Sequence, residues 1–320
     1  MKFSFRIIII TIMVINNIAY AKNDTNLSIS ASIIPLQSLV QMVIDGTHNS
    51  VNVILDNSNT SPHDSTINYR EMKIIKNSSI LFVVSKNFEQ EIIKNVDAKT
   101  KIIYLDEKLN SPLNDFNELS YKKASHNEEH EHSHDHNDHH HSHDVKDYHI
   151  WLDTNKTQQI LYVVANELAL LDTQNKAKYL ENAKKYSAKI QDLQAEITKD
   201  LASIKGSFMV YHNAWGYFVK QNSLYKNYKG SIIANEADHS HIDTNLSAKN
   251  VIELSNYLLK EKVSCILLEP QFEDKTVQTI IKKNNLKTAI LDPIGKQNKD
   301  LTTNYFIMMK KNTQQLKSCV

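Results

Sequence analysis

A run of histidines in the middle of the chain is the largest set of residues that could do chemistry. Positions 126 to 143 alternate histidine with Asp, Glu, Ser and Asn and contain no Lys, Arg or hydrophobic residue. Neutral imidazole is the commonest protein ligand for transition metals, and so polar a stretch cannot form a core. We therefore predict a disordered, accessory metal-collecting loop, in preference to low-complexity drift or a tag, which would lie at a terminus. The histidines are His126, His130, His132, His134, His136, His139, His140, His141 and His143.

A second set of metal-capable side chains lies at the ends of predicted strands, where parallel α/β sheets bind ligands. A single histidine there is commonly an ordinary surface or core residue, but three in a chain with a histidine-rich loop favour ligation. Three imidazoles with one carboxylate or water suit a tetrahedral zinc ion. The set is His63, His149, His212, Glu269 and Asp292.

The elements that must position these residues alternate along the chain. Before residue 110, short β-rich runs alternate with helical ones, which predicts an α/β lobe with a largely parallel sheet. The predicted strands are Leu27–Ser32, Val51–Leu55, Ile80–Val84 and Lys101–Leu105, and the helices are Pro35–Asp45, Ile67–Lys76 and Phe88–Asn95.

A second α/β series follows residue 205, after a helical stretch. Apolar residues spaced by three or four from Tyr179 to Ile204 predict a helix about 45 Å long. A helix of that length would join two lobes, although a long surface helix of a single domain is the alternative. The fold class predicted is therefore two Rossmann-like α/β lobes with mostly parallel sheets, a long rigid helix between them and the metal site in the cleft.

The first 21 residues have the pattern of a signal peptide. Lys2 and Arg6 precede an apolar stretch, and Ala19-Tyr20-Ala21 gives a small-x-small cleavage site. We predict an exported, periplasmic protein cleaved after Ala21, the alternative being an uncleaved anchor. The expected divisions are 1–21 signal peptide, 22–153 first lobe with the loop at about 112–147, 154–205 helical linker and 206–320 second lobe.

The two cysteines, Cys265 and Cys319, would both remain after cleavage. In an oxidising compartment an even pair favours a disulfide. A pair of soft metal ligands is the weaker alternative, since neither has another Cys or His at zinc-finger spacing.

Composition excludes two other classes of function. The net charge is +1 with histidine neutral, which gives no large basic face for nucleic acid. The five glycines form neither a dinucleotide-binding nor a Walker motif.

Five segments in one order resemble the motifs of the metal-binding subunits of ABC importers, in particular their zinc-specific periplasmic members. The resemblance covers nearly the whole mature chain and includes a His- and acid-rich loop and a similarly placed cysteine pair. The segments are Ser61-Pro62-His63-Asp64, His149-Ile150-Trp151-Leu152-Asp153, His212-Asn213-Ala214-Trp215-Gly216-Tyr217-Phe218, Leu268-Glu269-Pro270-Gln271-Phe272 and Leu291-Asp292-Pro293-Ile294-Gly295.

The resemblance implies a ligand set of His63, His149, His212 and Asp292, with water as the alternative fourth ligand. Glu269 matches a residue near the cleft, where we expect a supporting role rather than ligation. Three imidazoles favour zinc over manganese, which prefers oxygen-rich sites. The pair His239 and His241 would be either a weak auxiliary site or part of a polar loop.

The function implied is a zinc-capturing binding protein, expected to be a monomer. It would deliver Zn²⁺ as transported cargo to a membrane permease powered by a separate cytoplasmic ATPase, and no catalytic cofactor is expected. The alternatives are manganese or iron import and a periplasmic zinc buffer. A metalloenzyme is disfavoured because no H-E-x-x-H or comparable hydrolase spacing occurs.

Overall fold

The computed structural model describes residues 27–56, 62, 65–115, 146–233, 248–272 and 274–320. The predicted signal peptide, the histidine run and three further histidines lie outside these residues; the three are His63, His239 and His241.

The first lobe is built on four parallel strands in the order β2-β1-β3-β4. Every residue of β1 and β3 is buried, as expected for parallel strands with helices on both faces. The strands are β1 (Ile29–Ile33), β2 (Val51–Leu55), β3 (Ile80–Val83) and β4 (Lys101–Tyr104), and the helices are α1 (Ile34–Ile44), α2 (Tyr69–Asn77), α3 (Gln90–Ile93) and α4 (Leu105–Lys108).

Two helices, α5 (Thr154–Leu171) and α6 (Lys176–Leu201), separate the two sheets along the chain. The 26 residues of α6 give a length of about 39 Å. Its apolar stripe is buried from Tyr179 to Leu201 at the predicted positions, and α6 packs on α5, α1 and the C-terminal helix. The long helix is therefore packed along most of its length.

The second lobe repeats the first, with strand order β6-β5-β7-β8 and all neighbours parallel. The two-lobe parallel α/β architecture predicted from the sequence is confirmed. The strands are β5 (Ser207–His212), β6 (Tyr228–Ile233), β7 (Val263–Leu268) and β8 (Lys287–Ile290), and the helices are α7 (Gly216–Gln221), α8 (Ala248–Lys260), α9 (Lys275–Lys283) and α10 (Asn304–Cys319).

One hydrophobic core extends through both lobes. It includes side chains of the first sheet, of α1, α5, α6 and α10, and of one face of the second sheet. A second, smaller core lies on the other face of the second sheet, beneath α8 and α9. None of the helices in the described part of the chain is both long and apolar enough to cross a bilayer.

Helix α10 belongs in sequence to the second lobe but also packs against the first. Ser38 of α1 donates its hydroxyl to the carbonyl of Leu301 (2.7 Å) and accepts the backbone N–H of Tyr305 (3.1 Å). The Tyr305 hydroxyl donates to the carbonyl of Trp151 (2.9 Å). At the far end of α10, Cys319 forms a disulfide with Cys265 of β7, with the Cα atoms 5.7 Å apart, and the predicted pairing is confirmed.

Removing this disulfide is expected to lower the free energy of unfolding by about 2–4 kcal/mol, because the bond closes a long loop of the unfolded chain. The measurement is chemical denaturation of the oxidised protein and of a Cys265→Ser, Cys319→Ser double variant. The control is the addition of a reductant, which should shift the denaturation midpoint of the native protein and leave that of the double variant unchanged. An identical midpoint for the two proteins would contradict the prediction.

Candidate metal centre

Two of the predicted ligands, His149 and His212, lie side by side in the interior. Their ring centroids are 5.1 Å apart in an edge-to-face arrangement, and the residues are only 3% and 2% exposed. His212 is the last residue of β5, and His149 directly precedes the short 3₁₀ turn Ile150–Leu152. The carboxyl edge of the second sheet therefore meets the chain that returns from the first lobe.

The orientation of the His149 ring is set by Asp147. One carboxylate oxygen of Asp147, Oδ1, lies 2.8 Å from His149 Nδ1 and accepts the backbone N–H of His149 at 2.9 Å. A carboxylate on Nδ1 favours the tautomer with its proton there, which directs the lone pair of Nε2 towards a metal. The role of Asp147 was not predicted from the sequence, although an acidic residue two positions before a candidate ligand is a visible signal.

The ring of His212 has an equivalent partner in Glu269, which directly follows β7. Glu269 Oε2 lies 3.4 Å from His212 Nδ1, and Oε1 accepts the indole N–H of Trp215 at 3.1 Å. Glu269 is 3% exposed. This placement is compatible with the supporting role expected for Glu269.

Asp292 lies in a tightly held turn after β8. Its Oδ1 accepts the backbone N–H groups of Ile294 and Gly295 at 3.1 and 2.9 Å and the side-chain amide of Gln271 at 3.3 Å. Asn312 of α10 pairs with both the N–H and the C=O of Asp292. Gly295 has φ +74°, a left-handed conformation that favours glycine. One carboxylate oxygen is thus committed to the turn, which makes Oδ2 the candidate ligand atom.

Aromatic and apolar side chains surround the two imidazoles. The cavity encloses about 250 Å³, including the solvent into which it opens, and Pro62, the residue before His63, lines it. Trp151 contacts the site on two sides. Its ring centroid lies 5.3 Å from that of His149, and its indole N–H donates to the carbonyl of Pro293 at 2.7 Å. The other lining residues are Phe88, His149, His212, Glu269, Gln271, Phe272 and Ile294.

Of the four predicted ligands, only His149 and His212 are seen side by side among the described residues. Within the described ranges, no three His, Cys, Asp or Glu side chains form a group that could hold a metal ion. His149 and His212 line the cavity, whereas Asp292 lies beside it, next to the lining residue Pro293. His63 lies outside the described residues, as do the histidine run and the pair His239 and His241.

The first lobe contains a buried carboxyl group, that of Glu89, which was not predicted from the sequence. It accepts the Ser32 hydroxyl at 2.6 Å and the backbone N–H groups of Val84 and Ser85 at 2.9 Å each. Burial raises the pKa of Glu89 to about 7, although these hydrogen bonds act to lower it. These contacts involve Glu89, which was predicted to lie in a helix from Phe88 to Asn95. Helix α3 begins at Gln90 instead, and the ring of Phe88 packs edge-to-face against that of His149.

Comparisons with known proteins point to one family. Residues 29–319 match the family model described as "Zinc-uptake complex component A periplasmic". The chain is 29% identical over 175 residues to a high-affinity zinc uptake system protein ZnuA of Brucella abortus, a match that covers 54% of this chain and spans only 50% of that relative. It is 26% identical to ZnuA of Haemophilus ducreyi over 92% of this chain and 94% of that protein. A crystal structure of ZnuA superposes with a TM-score of 0.72 at 21% identity, covering 92% of this chain and 99% of that one, which supports the fold.

Substituting Glu269 by Gln is expected to weaken Zn²⁺ binding about 10- to 100-fold, because the amide is a poorer partner for His212 Nδ1 than a carboxylate. Competition titration with a chromogenic chelator measures the affinity. The matched control is Glu167→Gln, which removes a carboxylate of α5 that pairs with Lys101 and Lys108 at the surface. Equal affinity for the Glu269 variant and the native protein would exclude a supporting role for Glu269.

Proposed function

The chain belongs to the family of periplasmic zinc-uptake complex components, and we propose that it binds Zn²⁺ in the cleft between its lobes. It then delivers the ion to the membrane permease of an ABC importer, which is driven by a separate cytoplasmic ATPase. Zn²⁺ is cargo in this proposal, so the site must both hold the ion and release it.

The paired imidazoles carry the proposal. His149 and His212 lie 5.1 Å apart by ring centroid, and each has a carboxylate on the Nδ1 side of its ring. Imidazole nitrogens supported in this way are typical zinc ligands. Both rings line one cavity that is otherwise largely apolar, and an apolar wall strengthens metal–ligand interactions by excluding water.

We propose that His63 and Asp292 complete the ligand set. The position of Pro62 at the cavity supports His63, because the adjacent residue is then within reach of the same space. Asp292 would ligate through Oδ2, since Oδ1 is held by the turn. Where Oδ2 does not reach the ion, a water molecule would take the fourth position.

The remaining parts of the proposal concern export and the histidine run. The chain is exported and cleaved after Ala21, and acts as a monomer of two lobes, 22–153 and 206–320, around the helical linker 154–205. The nine histidines between 126 and 143 collect zinc weakly and raise its concentration beside the cleft.

Single substitutions of the ligands test the central proposal. His63→Ala, His149→Ala and His212→Ala are each expected to weaken Zn²⁺ binding by more than about 100-fold, since losing a direct ligand costs more than losing its supporting partner. Asp292→Ala should cost less, about tenfold, because water can replace the carboxylate. Isothermal titration with a competing chelator gives the affinities, and elemental analysis after exchange against Mn²⁺ and Fe²⁺ identifies the preferred ion.

The matched control is His48→Ala, which removes an exposed histidine of the first lobe and should leave the affinity unchanged. Native affinity in both the His149 and the His212 variants would refute the site. Retention of manganese or iron in preference to zinc would refute the cargo.

Deleting residues 116–145 is expected to remove weak zinc sites and to keep one tight site. The flanking residues Asp115 and Lys146 form an antiparallel bridge and an ion pair with Nζ–Oδ1 2.6 Å, so a two-residue Asn-Gly turn can join them. Zinc stoichiometry by elemental analysis, with an equal-length Gly-Ser replacement as the control, measures the outcome. Loss of the tight site in both variants would show that the histidine run contains the primary ligands.

A further inference from the structure

The chain enters and leaves the stretch 116–145 through a paired neck, which we define as Asn114–Asp115 and Lys146–Asp147. Besides the Asp115–Lys146 bridge, Asp147 donates its backbone N–H to the carbonyl of Asn114 at 2.9 Å. Asp147 is also the residue that holds the His149 ring. The neck and the candidate metal centre therefore share a residue.

One hydroxyl of the second lobe holds both strands of the neck. Tyr217 of α7, only 1% exposed, accepts the backbone N–H of Asn114 at 3.0 Å and donates its own proton to the carbonyl of Asp147 at 2.9 Å. Burial and the Asp147 carboxylate raise the pKa of Tyr217, so the hydroxyl keeps its proton and remains a donor at neutral pH.

We propose that Tyr217 is a positioning residue for the metal ligand His149, acting through Asp147. The proposal rests on the proposed function, since it requires His149 to bind the ion. The path is short: the Tyr217 hydroxyl fixes the backbone of Asp147, and the Asp147 carboxylate fixes both the backbone N–H and the ring of His149. Because Tyr217 is in the second lobe, it also sets His149 relative to His212, which ends β5 of that lobe.

Other contacts hold residues 111–114, which lead into the first strand of the neck. Loss of the Tyr217 hydroxyl therefore does not release this segment. The ammonium group of Lys156 on α5 donates to the carbonyls of Ser111 and Pro112, and that of Lys220 to the side chain of Asn114. The Lys156 nitrogen also lies 5.3 Å from the centre of the Tyr217 ring, a contact that phenylalanine would keep. A Tyr217→Phe change therefore removes the partners of the Asn114 N–H and of the Asp147 carbonyl, while these lysine contacts remain.

The test compares Tyr217→Phe with a matched removal of a hydroxyl elsewhere. Tyr179→Phe is the control, because its hydroxyl also makes two buried hydrogen bonds, to Asp172 and Asn49. Asn49 precedes β2, at the edge of the first sheet opposite to the cleft. Both variants should lose stability on denaturation, Tyr179→Phe the more because its hydroxyl donates to a carboxylate, whereas Tyr217→Phe alone should weaken Zn²⁺ binding, by about three- to tenfold.

A double-mutant cycle with His149→Ala separates positioning from general loosening. If Tyr217 acts through His149, Tyr217→Phe costs no further affinity once His149 is alanine. Native affinity in Tyr217→Phe, or the same loss with and without His149, would overturn the inference while leaving the proposed function intact. Native affinity in His149→Ala would also overturn the inference, whereas the proposed function is refuted only if His212→Ala keeps native affinity as well.

Discussion

The hydrophobic core shared by the two lobes is the constraint on which the rest of the structure depends. Helix α1 packs on β1 and β2 of the first sheet, α10 packs on β7 and β8 of the second, and α1, α6 and α10 pack on one another within the same core, so neither lobe completes its interior alone. A large rotation of one lobe would expose this surface at about 25 cal/mol per Å². The separation of His149 and His212 is consequently set by packing far from either ring, so the proposed binding of an ion would involve small local movements.

Buried carboxylates make the centre favourable for a cation. Asp147 and Glu269, each 3% exposed, lie beside the two imidazoles, and Asp292, 7% exposed, lies in the turn after β8. Their hydrogen-bond partners are imidazole, indole, amide and backbone N–H groups. Burying negative charge is costly, and in the proposed function a bound divalent ion would offset part of that cost. The same groups that orient the ligands thus supply the attraction for the ion.

The local sequence pattern predicted helices and strands, whereas the exact ends of some of them and the contacts around the site depend on residues that are distant in the sequence. Strand Val51–Leu55 was predicted residue for residue, because five mostly β-branched residues between polar ones leave little ambiguity. The apolar stripe of α6 was equally clear, but α3 is only one turn long because Glu89 accepts hydrogen bonds from Ser32 of β1 and from the backbone that follows β3. Tyr217 could not be identified from the sequence, since its partners Asp147 and Asn114 are 70 and 103 residues away. The ligand set came from a family resemblance, which gives residues but not geometry.

The position of α10 has a consequence for the order in which the chain can fold. Its contacts with Ser38 join residues 263 and 267 positions apart, so one face of α1 stays uncovered until residues 301–319 have been made. Contacts at such separations form slowly. A chain that emerges N-terminus first thus leaves that face of α1 exposed to solvent until the chain is almost complete.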